Sequence, residues 1–432
     1  MEIQEETVVA KTGNYRWTIC TLLFLATTIN YVDRQILSLV KPILDVELGW
    51  SNEDFGIVNA VFQGAYGFGL LFFGWFVDRY GVKVGYAVSI IGWSLAAIGH
   101  SVVSTVTGFM VARATLGVSE GGNFPSAIKA TAQWFPKSER AYATSIFNAG
   151  TNVGAIVAPA LVPWIAYTYG WQMAFVLAGV AGLLWLFLWI PFYDRPEKSK
   201  RLKKKEKEYI ESDREEAGEG QKVSWLGLLR YRQTWSFIVA KFMTDPVWWF
   251  FLIWLPDYFK KTRGLDLKES WIHLVTIYVI VTVLSIFGGW VIGYLNKQGW
   301  GITRARKTGM FVFALCVIPI FLVAQFGEWG AVVLIGLAGS AHQAWSANLY
   351  TTVSDMFPKK AVASVIGIGG MAGAIGGMLF PIFSGRLLDT FTASGNVTGG
   401  YTILFTICAF AYVFTFLFHH LLAPKFEPFQ LK

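Results

Sequence analysis

The sequence predicts an all-α polytopic membrane protein, with twelve transmembrane helices in two pseudo-symmetric six-helix bundles. Three observations carry that prediction. Of the 432 residues, 54% are hydrophobic and only 15% are charged, where a soluble globular chain carries roughly 25% charged residues. Apolar runs recur at the roughly 20-residue length that a bilayer demands, and they lack the alternation of barrel strands. The two halves of the chain also resemble each other at a nearly constant offset.

The apolar runs place spans near 15–40, 54–77, 83–104, 106–130, 139–166 and 171–192, then 234–259, 270–295, 308–326, 328–353, 361–389 and 400–422. Turn signals between them are Lys41-Pro42, Gly81, Phe135-Pro136, Gly170, Asp257, Gly299 to Gly301, Phe357-Pro358 and Gly395. Residues 1–14 are acidic and polar, so they do not read as a cleavable signal peptide, and the first span is expected to insert uncleaved. The long polar insertion, 193–233, divides the chain into residues 1–192, a linker, and residues 234–432. Its segment Leu202 to Glu216 reads as a solvated linker ahead of a surface helix.

The formal charge is +8. Its basic residues fall in short loops, as the positive-inside effect requires, so nucleic acid is not the expected partner. Arg79, Lys83, Lys137, Arg140, Arg304 to Lys307 and Lys359-Lys360 share the side of the linker's basic block, Lys198 to Lys207. Both termini are therefore expected in the cytoplasm. Lys260 to Lys268 is the exception on the opposite side. Cys20, Cys316 and Cys408 lie in apolar runs and read as small hydrophobes, with no metal site expected.

The repeat rests on three matches. TAQWFPKSERA (131–141) resembles SDMFPKKAVA (354–363), NVGAIVAPA (152–160) resembles MAGAIGGMLFP (371–381), and Gly74-Trp75 matches Gly289-Trp290. The three offsets lie near 215 to 222 residues. A six-helix unit occurring twice, about an axis along the membrane normal, accounts for all three.

Polar residues inside spans are the functional candidates, because a charge at the bilayer centre costs several kcal/mol unless it faces protein or water. Arg113 and Glu120 stand seven residues apart in the fourth span, almost two turns, and so share a face. Gly117, Ser119, Gly121 and Gly122 beside them permit close approach of a helix or a substrate. Asp33 and Arg34 interrupt the first span. Adjacent residues point about 100° apart, so Arg34 can face a cavity while Asp33 reaches another cation; an ion pair that only fixes packing is the alternative.

Near the same depth in the second half stands Asp245, followed by Pro246, which is expected to break the seventh span and expose carbonyls. Trp248 and Trp249 offer faces for a sugar-like ring, or serve as interfacial anchors and core. Aligning the two Phe-Pro pairs sets His342 opposite Glu120. His342, Gln343 and Asn348 suit hydroxyls, although a buried histidine is also an ordinary packing group. Tyr31, Gln63, Tyr66, Asn148 and Asn152 are further polar positions, or interhelical hydrogen-bond glue. If a substrate anion takes Arg34 or Arg113, then Asp33 or Glu120 loses its counter-charge and takes up a proton.

The loop GWFVDRYGVK (74–83) resembles the G-x-x-x-D-R-x-G-x-K/R signature of the major facilitator superfamily, with Gly74, Asp78, Arg79, Gly81 and Lys83 matching. There the loop acts as a cytoplasmic gate latch; an ordinary loop ion pair is the plainer reading of Asp78 and Arg79. Within that superfamily the chain resembles the anion:cation symporters, and bacterial hexuronate transporters most. NYVDR (30–34), RATLGVSEGGNFPSAIKA (113–130), FNAGTNVGAIVAP (147–159), WQMAF (171–175), DPVWWFFLIWLPDYF (245–259) and AHQAW (341–345) carry the resemblance nearly end to end.

The resemblance implies import of a glucuronate- or galacturonate-like acid with protons across a bacterial inner membrane, by a monomer without cofactors. It implies proton sites at Asp33 and Glu120, and substrate or coupling roles for Arg34, Tyr66 and Arg113. With Asn148, Trp248, His342, Gln343, Trp345 and Asn348 these make up the expected substrate site. Galactonate-type members carry Gln where this chain has Thr151. Sodium in place of protons, and galactonate, glucarate or a small dicarboxylate as substrate, remain open. A membrane enzyme is disfavoured, since no H-E-x-x-H run or nucleophile elbow occurs and only five histidines are present. A transporter-like sensor without flux is the remaining rival.

Overall fold

The computed structural model describes residues 13–211 and 225–427. Every regular element among them is helical. The first half comprises α1 (Tyr15–Glu47), α2 (Asn52–Tyr80), α3 (Val82–His100), α4 (Val106–Glu120), α5 (Asn123–Trp134), α6 (Lys137–Tyr169) and α7 (Trp171–Phe192). Two short helices follow, α8 (Lys204–Glu211) and α9 (Trp225–Leu228). The second half comprises α10 (Arg232–Arg263), α11 (Leu267–Lys297), α12 (Ile302–Val317) with the 3-10 turn Ile318–Gln325, α13 (Glu328–Met356), α14 (Lys359–Ala393) and α15 (Val397–Leu422).

Counting α4 with α5, and α12 with its 3-10 extension, the chain crosses twelve times. Nine segments among the described residues are long and apolar enough to span a bilayer. The other three crossings are α1, α4 with α5, and α13. These contain Asp33, Arg34, Arg113, Glu120 and His342, so the spans that look least like membrane helices hold most of the expected site.

Within the halves, α1 packs on α6 and α7, and α2 on α4; α10 packs on α14 and α15, and α11 on α13. Between the halves α2 meets α14, α6 meets α11, and α1 meets α10. Small residues set these approaches. A side chain at Gly117 would lie 2.6 Å from the Phe62 carbonyl oxygen on α2, so α4 and α2 touch backbone to backbone. At Gly56 and Gly385 an added carbon would run into the backbone of the opposite half, at Pro381 and Asn52.

The repeat is visible in how the helices are joined. Phe135 ends α5 and Pro136 opens α6, with φ/ψ of −124/136 and −63/158. Phe357 and Pro358 do the same between α13 and α14, at −101/144 and −62/147. In both joints proline fixes φ and lacks an N–H that the new helix would leave unbonded. Gly81, at φ +87, turns the chain between α2 and α3, a backbone conformation natural to glycine.

Three local expectations are corrected. α10 runs unbroken through Pro246. The Phe242 carbonyl that loses its helical bond there lies against Gly376 of α14, which packs on the proline ring too closely for a side chain. Lys41-Pro42 does not end the first span and Asp257 does not end the seventh: α1 continues to Glu47 and α10 to Arg263, because charges on these last turns pair with one another. The linker also forms a helix, α8, within 202–216. Glu206 is buried and accepts from the backbone N–H groups of Tyr15 (3.2 Å) and Arg16 (3.1 Å) and from the Arg16 side chain (3.1 Å). It thereby satisfies orphan donors in the first turn of α1, and it fastens the linker to the first half. The part of that segment from 212 to 216 lies outside the described residues.

Candidate functional site

The polar residues of α1 and α4 converge. Arg34 Nε donates to Glu120 Oε2 at 2.6 Å, with the two side chains 5% and 0% exposed. The arginine carbon lies 4.4 Å from the ring centre of Tyr66, 5.0 Å from Tyr31, 5.4 Å from Phe62 and 5.7 Å from Trp249. A cation boxed by rings is held by their faces as well as by its carboxylate. Trp249 belongs to α10, so both halves contribute to the box. Arg113 and Glu120 do share α4, as their spacing predicts, but the partner of Glu120 is Arg34 across the helices. Arg113 stands over Phe62 at 5.5 Å.

Several charged atoms here are buried without a hydrogen-bond partner among the described residues: Arg34 Nη2, Arg113 Nε and Nη2, Glu120 Oε1 and both oxygens of Asp33. Neither oxygen of Asp33 is hydrogen-bonded to Arg113. An unsatisfied buried polar group costs about 1–3 kcal/mol, more if charged. Donors left idle at that cost suit an anion that comes and goes. α4 ends at Glu120, and the chain bends through Gly121 and Gly122 before α5. The second half has no such break, since α13 runs straight through His342 and Gln343.

Beside these groups lies a cavity of about 20 Å³, walled by Tyr31, Arg34, Gln35, Arg113, Trp249 and neighbours on α1, α2 and α10. That volume holds about one water, too little for a larger solute while the halves stand this close. The end remote from the termini is held shut by ions. Lys41 Nζ, fully buried, donates to Asp257 at 2.8 Å, Asp45 at 2.6 Å and Asn52 at 3.0 Å. Lys261 reaches Asp257 at 3.1 Å and Asn52 at 2.7 Å, and Tyr401 donates to the other Asp257 oxygen. Nearby, Asp389 of α14 caps the first N–H groups of α2 at Asn52 and Glu53, and Arg386 pairs with Glu53 at 2.7 Å. Nothing in the polar-span reasoning singled out this cluster. One signal was available: Lys41 and Asp257 lie 216 residues apart, the repeat offset, with opposite charges.

The remaining expected residues fall in different places. His342 bonds the Tyr412 hydroxyl at 2.5 Å and stacks on Trp248, with ring centres 5.3 Å apart. Trp345 is fully buried, edge-on to Tyr412. The Asn348 amide donates to its own helix at Ala344. None of His342, Gln343, Trp345, Asn348 or Trp248 is in the cavity wall; Gln343 is half-buried and Asn148 exposed. In the loop, Asp78 does not form an ion pair with its neighbour: it accepts from Lys129 at 2.6 Å, and Lys83 bonds Asp194 at 2.8 Å. Both ties stay within the first half and the start of the linker. Among the described residues no group of three or more His, Cys, Asp or Glu side chains could hold a metal ion, and the three cysteines are free.

Twelve crossings in two matched halves, with charged residues meeting between them, define a membrane carrier rather than an enzyme. Residues 23–381 match the family model of the Major Facilitator Superfamily, and the chain belongs to that family. It is 30% identical over 404 residues to the hexuronate transporter of Escherichia coli (strain K12), covering 92% of each chain. It is 29% identical over 411 residues to the Bacillus subtilis (strain 168) protein named "Probable galactarate/D-glucarate transporter GudP", covering 91% of this chain and 89% of that one. Its fold is similar, at TM-score 0.76 and 16% identity, to the crystal structure of a bacterial homolog of the human lysosomal transporter Spinster in an inward-facing, unoccupied conformation, covering 95% and 98% of the two chains.

Proposed function

We propose that this multi-pass transporter imports a sugar-acid anion, a hexuronate foremost, together with protons across a bacterial inner membrane. The observation that carries the reading is the Arg34–Glu120 ion pair, buried beside a cavity with idle guanidinium donors on Arg34 and Arg113. A carboxylate entering the cavity takes those donors, for which guanidinium forks are well shaped. Glu120 then loses its counter-charge in a poorly solvated site and binds a proton, which Asp33 can take over when Arg113 turns to the substrate. Anion and proton thus travel as one neutral load. Tyr66 holds Arg34 in place, and Trp249 offers a ring face to the sugar.

Residues 1–192 and 234–432 are the two rocking units, with residues 193–233 as a cytoplasmic linker and both termini in the cytoplasm. The ion cluster around Lys41 and Asp257 then closes the periplasmic end. The relation to a hexuronate transporter over nearly the whole chain supports the substrate class. The monomer is the working unit. Gln343, Asn348 and Asn148 become contacts to hydroxyls only as the halves move.

Proteoliposomes test this directly. Labelled glucuronate is expected to accumulate when an inward proton gradient is imposed, and only to equilibrate when the gradient is collapsed, whether or not sodium is present. Galactonate should be taken up less well. Accumulation driven by sodium alone, or uptake indifferent to both gradients, contradicts the proton-coupled reading.

A further inference from the structure

One buried ion pair belongs to none of the roles above. On α10, Lys241 Nζ bonds Asp245 Oδ2 at 2.7 Å and the Tyr350 hydroxyl of α13 at 3.0 Å. Lys241, Asp245 and Trp249 follow one another at intervals of four residues, so they form a stripe on one helix face. Trp249 belongs to the cavity wall and to the box around Arg34. Asp245 therefore stands one turn from it, about 6 Å along the helix axis, on the same face.

The two partners are not equally accessible. The Lys241 side chain is 5% exposed and that of Asp245 is 18%. The carboxylate is the member that can meet a ligand, and the ammonium behind it fixes its orientation. Asp245 is outside the wall of the present cavity; a site widened along α10 past Trp249 reaches it, and its two ends then differ in polarity. The end near α1 and α4 presents arginine donors with unused hydrogens. The end along α10 presents a carboxylate, which accepts hydrogen bonds and repels anions.

Resting on the sugar-acid reading, we propose that Asp245 reads the hydroxyl end of the substrate and so selects acids with a single carboxylate against acids carrying one at each end. A uronate or an aldonate sets its carboxylate on Arg34 and Arg113, and its far hydroxyls donate to Asp245, with its ring or chain spanning Trp249. An aldarate sets its second carboxylate against Asp245, where like charges meet in a poorly solvated site. Lys241 is a positioning residue for this acceptor.

The test is competition against labelled glucuronate in binding to the purified full chain, using unlabelled glucuronate, galactonate and galactarate. In the natural protein, glucuronate and galactonate should compete at concentrations at least about tenfold below galactarate, the minimum expected from trading a charged hydrogen bond for a like-charge contact. In Asp245→Asn, glucuronate should weaken and galactarate should strengthen, so that the ratio falls about tenfold toward parity. Lys241→Met should lower the ratio in the same direction, and Lys241→Arg should restore it. Galactarate competing as well as glucuronate in the natural protein overturns the assignment while leaving the sugar-acid reading intact. So does an unchanged ratio in a folded Asp245→Asn protein. Should that variant not fold, the ratio in the natural protein decides. Binding of none of the three acids overturns the sugar-acid reading, and this assignment with it.

Discussion

Glu120→Gln is expected to abolish concentrative uptake of glucuronate while leaving exchange of internal for external substrate. The amide keeps the shape of the carboxyl group and can still accept a hydrogen bond from Arg34, which lies 2.6 Å from Glu120 in the natural protein. It cannot carry a proton through the cycle. Arg34 is left with its charge uncompensated, so it holds the substrate carboxylate at least as firmly as before, and the loaded carrier can still reorient. In proteoliposomes the internal concentration should rise only to the external one under a proton gradient that drives accumulation by the natural protein. Counterflow should persist. Glu120→Ala should behave differently: it removes the acceptor outright and strands a buried guanidinium, a change that costs about 3–5 kcal/mol. The yield of folded protein should fall with it. Full accumulation by the Gln variant would remove Glu120 from the coupling mechanism.

Asp257→Ala should unlatch the end of the molecule remote from the termini. Asp257 binds Lys41 at 2.8 Å, Lys261 at 3.1 Å and the Tyr401 hydroxyl, and it is fully buried. Deleting it leaves the fully buried Lys41 with Asp45 and Asn52 alone. Breaking such a pair costs about 3–5 kcal/mol. Most of that penalty falls on the state in which α1 and α10 meet. Moving a two-state equilibrium from 1:99 to 99:1 takes about 5.5 kcal/mol, so the variant should populate the opened state heavily. Ser38 reports it, being 1% exposed and part of the cavity wall. In a chain lacking Cys20, Cys316 and Cys408, a cysteine at position 38 should react with an impermeant maleimide, from the side opposite the termini, at least about tenfold faster once Asp257 is removed. Unchanged labelling would show that the cluster is packing and not a latch.

Both outcomes depend on features of unequal visibility in the sequence. The spans, their number and the repeated Phe-Pro joints are local properties of length, apolarity and proline geometry, and the structure repeats them. The convergence of Arg34 with Glu120 was half legible. Each charge is conspicuous in its span, but that Glu120 faces Arg34 rather than Arg113 depends on how α1 lies against α4. Pro246 misled because its consequence is decided by Gly376 on another helix. Lys41 and Asp257 looked like span ends, since a charge beside apolar sequence ordinarily marks the boundary; paired across the halves, they extend the helices instead. The excess of lysine near 260–268 has the same cause. Lys261 belongs to the ion cluster, Lys260 pairs with Asp266, and Arg263 bonds Tyr258 and the Val323 carbonyl. Lys260 and Lys261 are thus neutralised in place, while Arg263 is held by neutral acceptors, and none of the three is a free loop charge. Lys241 went unnoticed because a single lysine toward the end of an apolar run reads as a snorkelling group, and only its partners reveal otherwise.

Binding of the sugar acid and binding of the proton must be linked if anion and carboxylate compete for the same guanidinium groups. A weakly buffered solution of the purified protein, followed with a pH indicator while glucuronate is added, measures that linkage without any membrane gradient. The predicted result is uptake of protons in step with saturation by glucuronate, and its loss in Glu120→Gln. Glucuronate that saturates the natural protein with no change in bound protons would contradict the account at its centre.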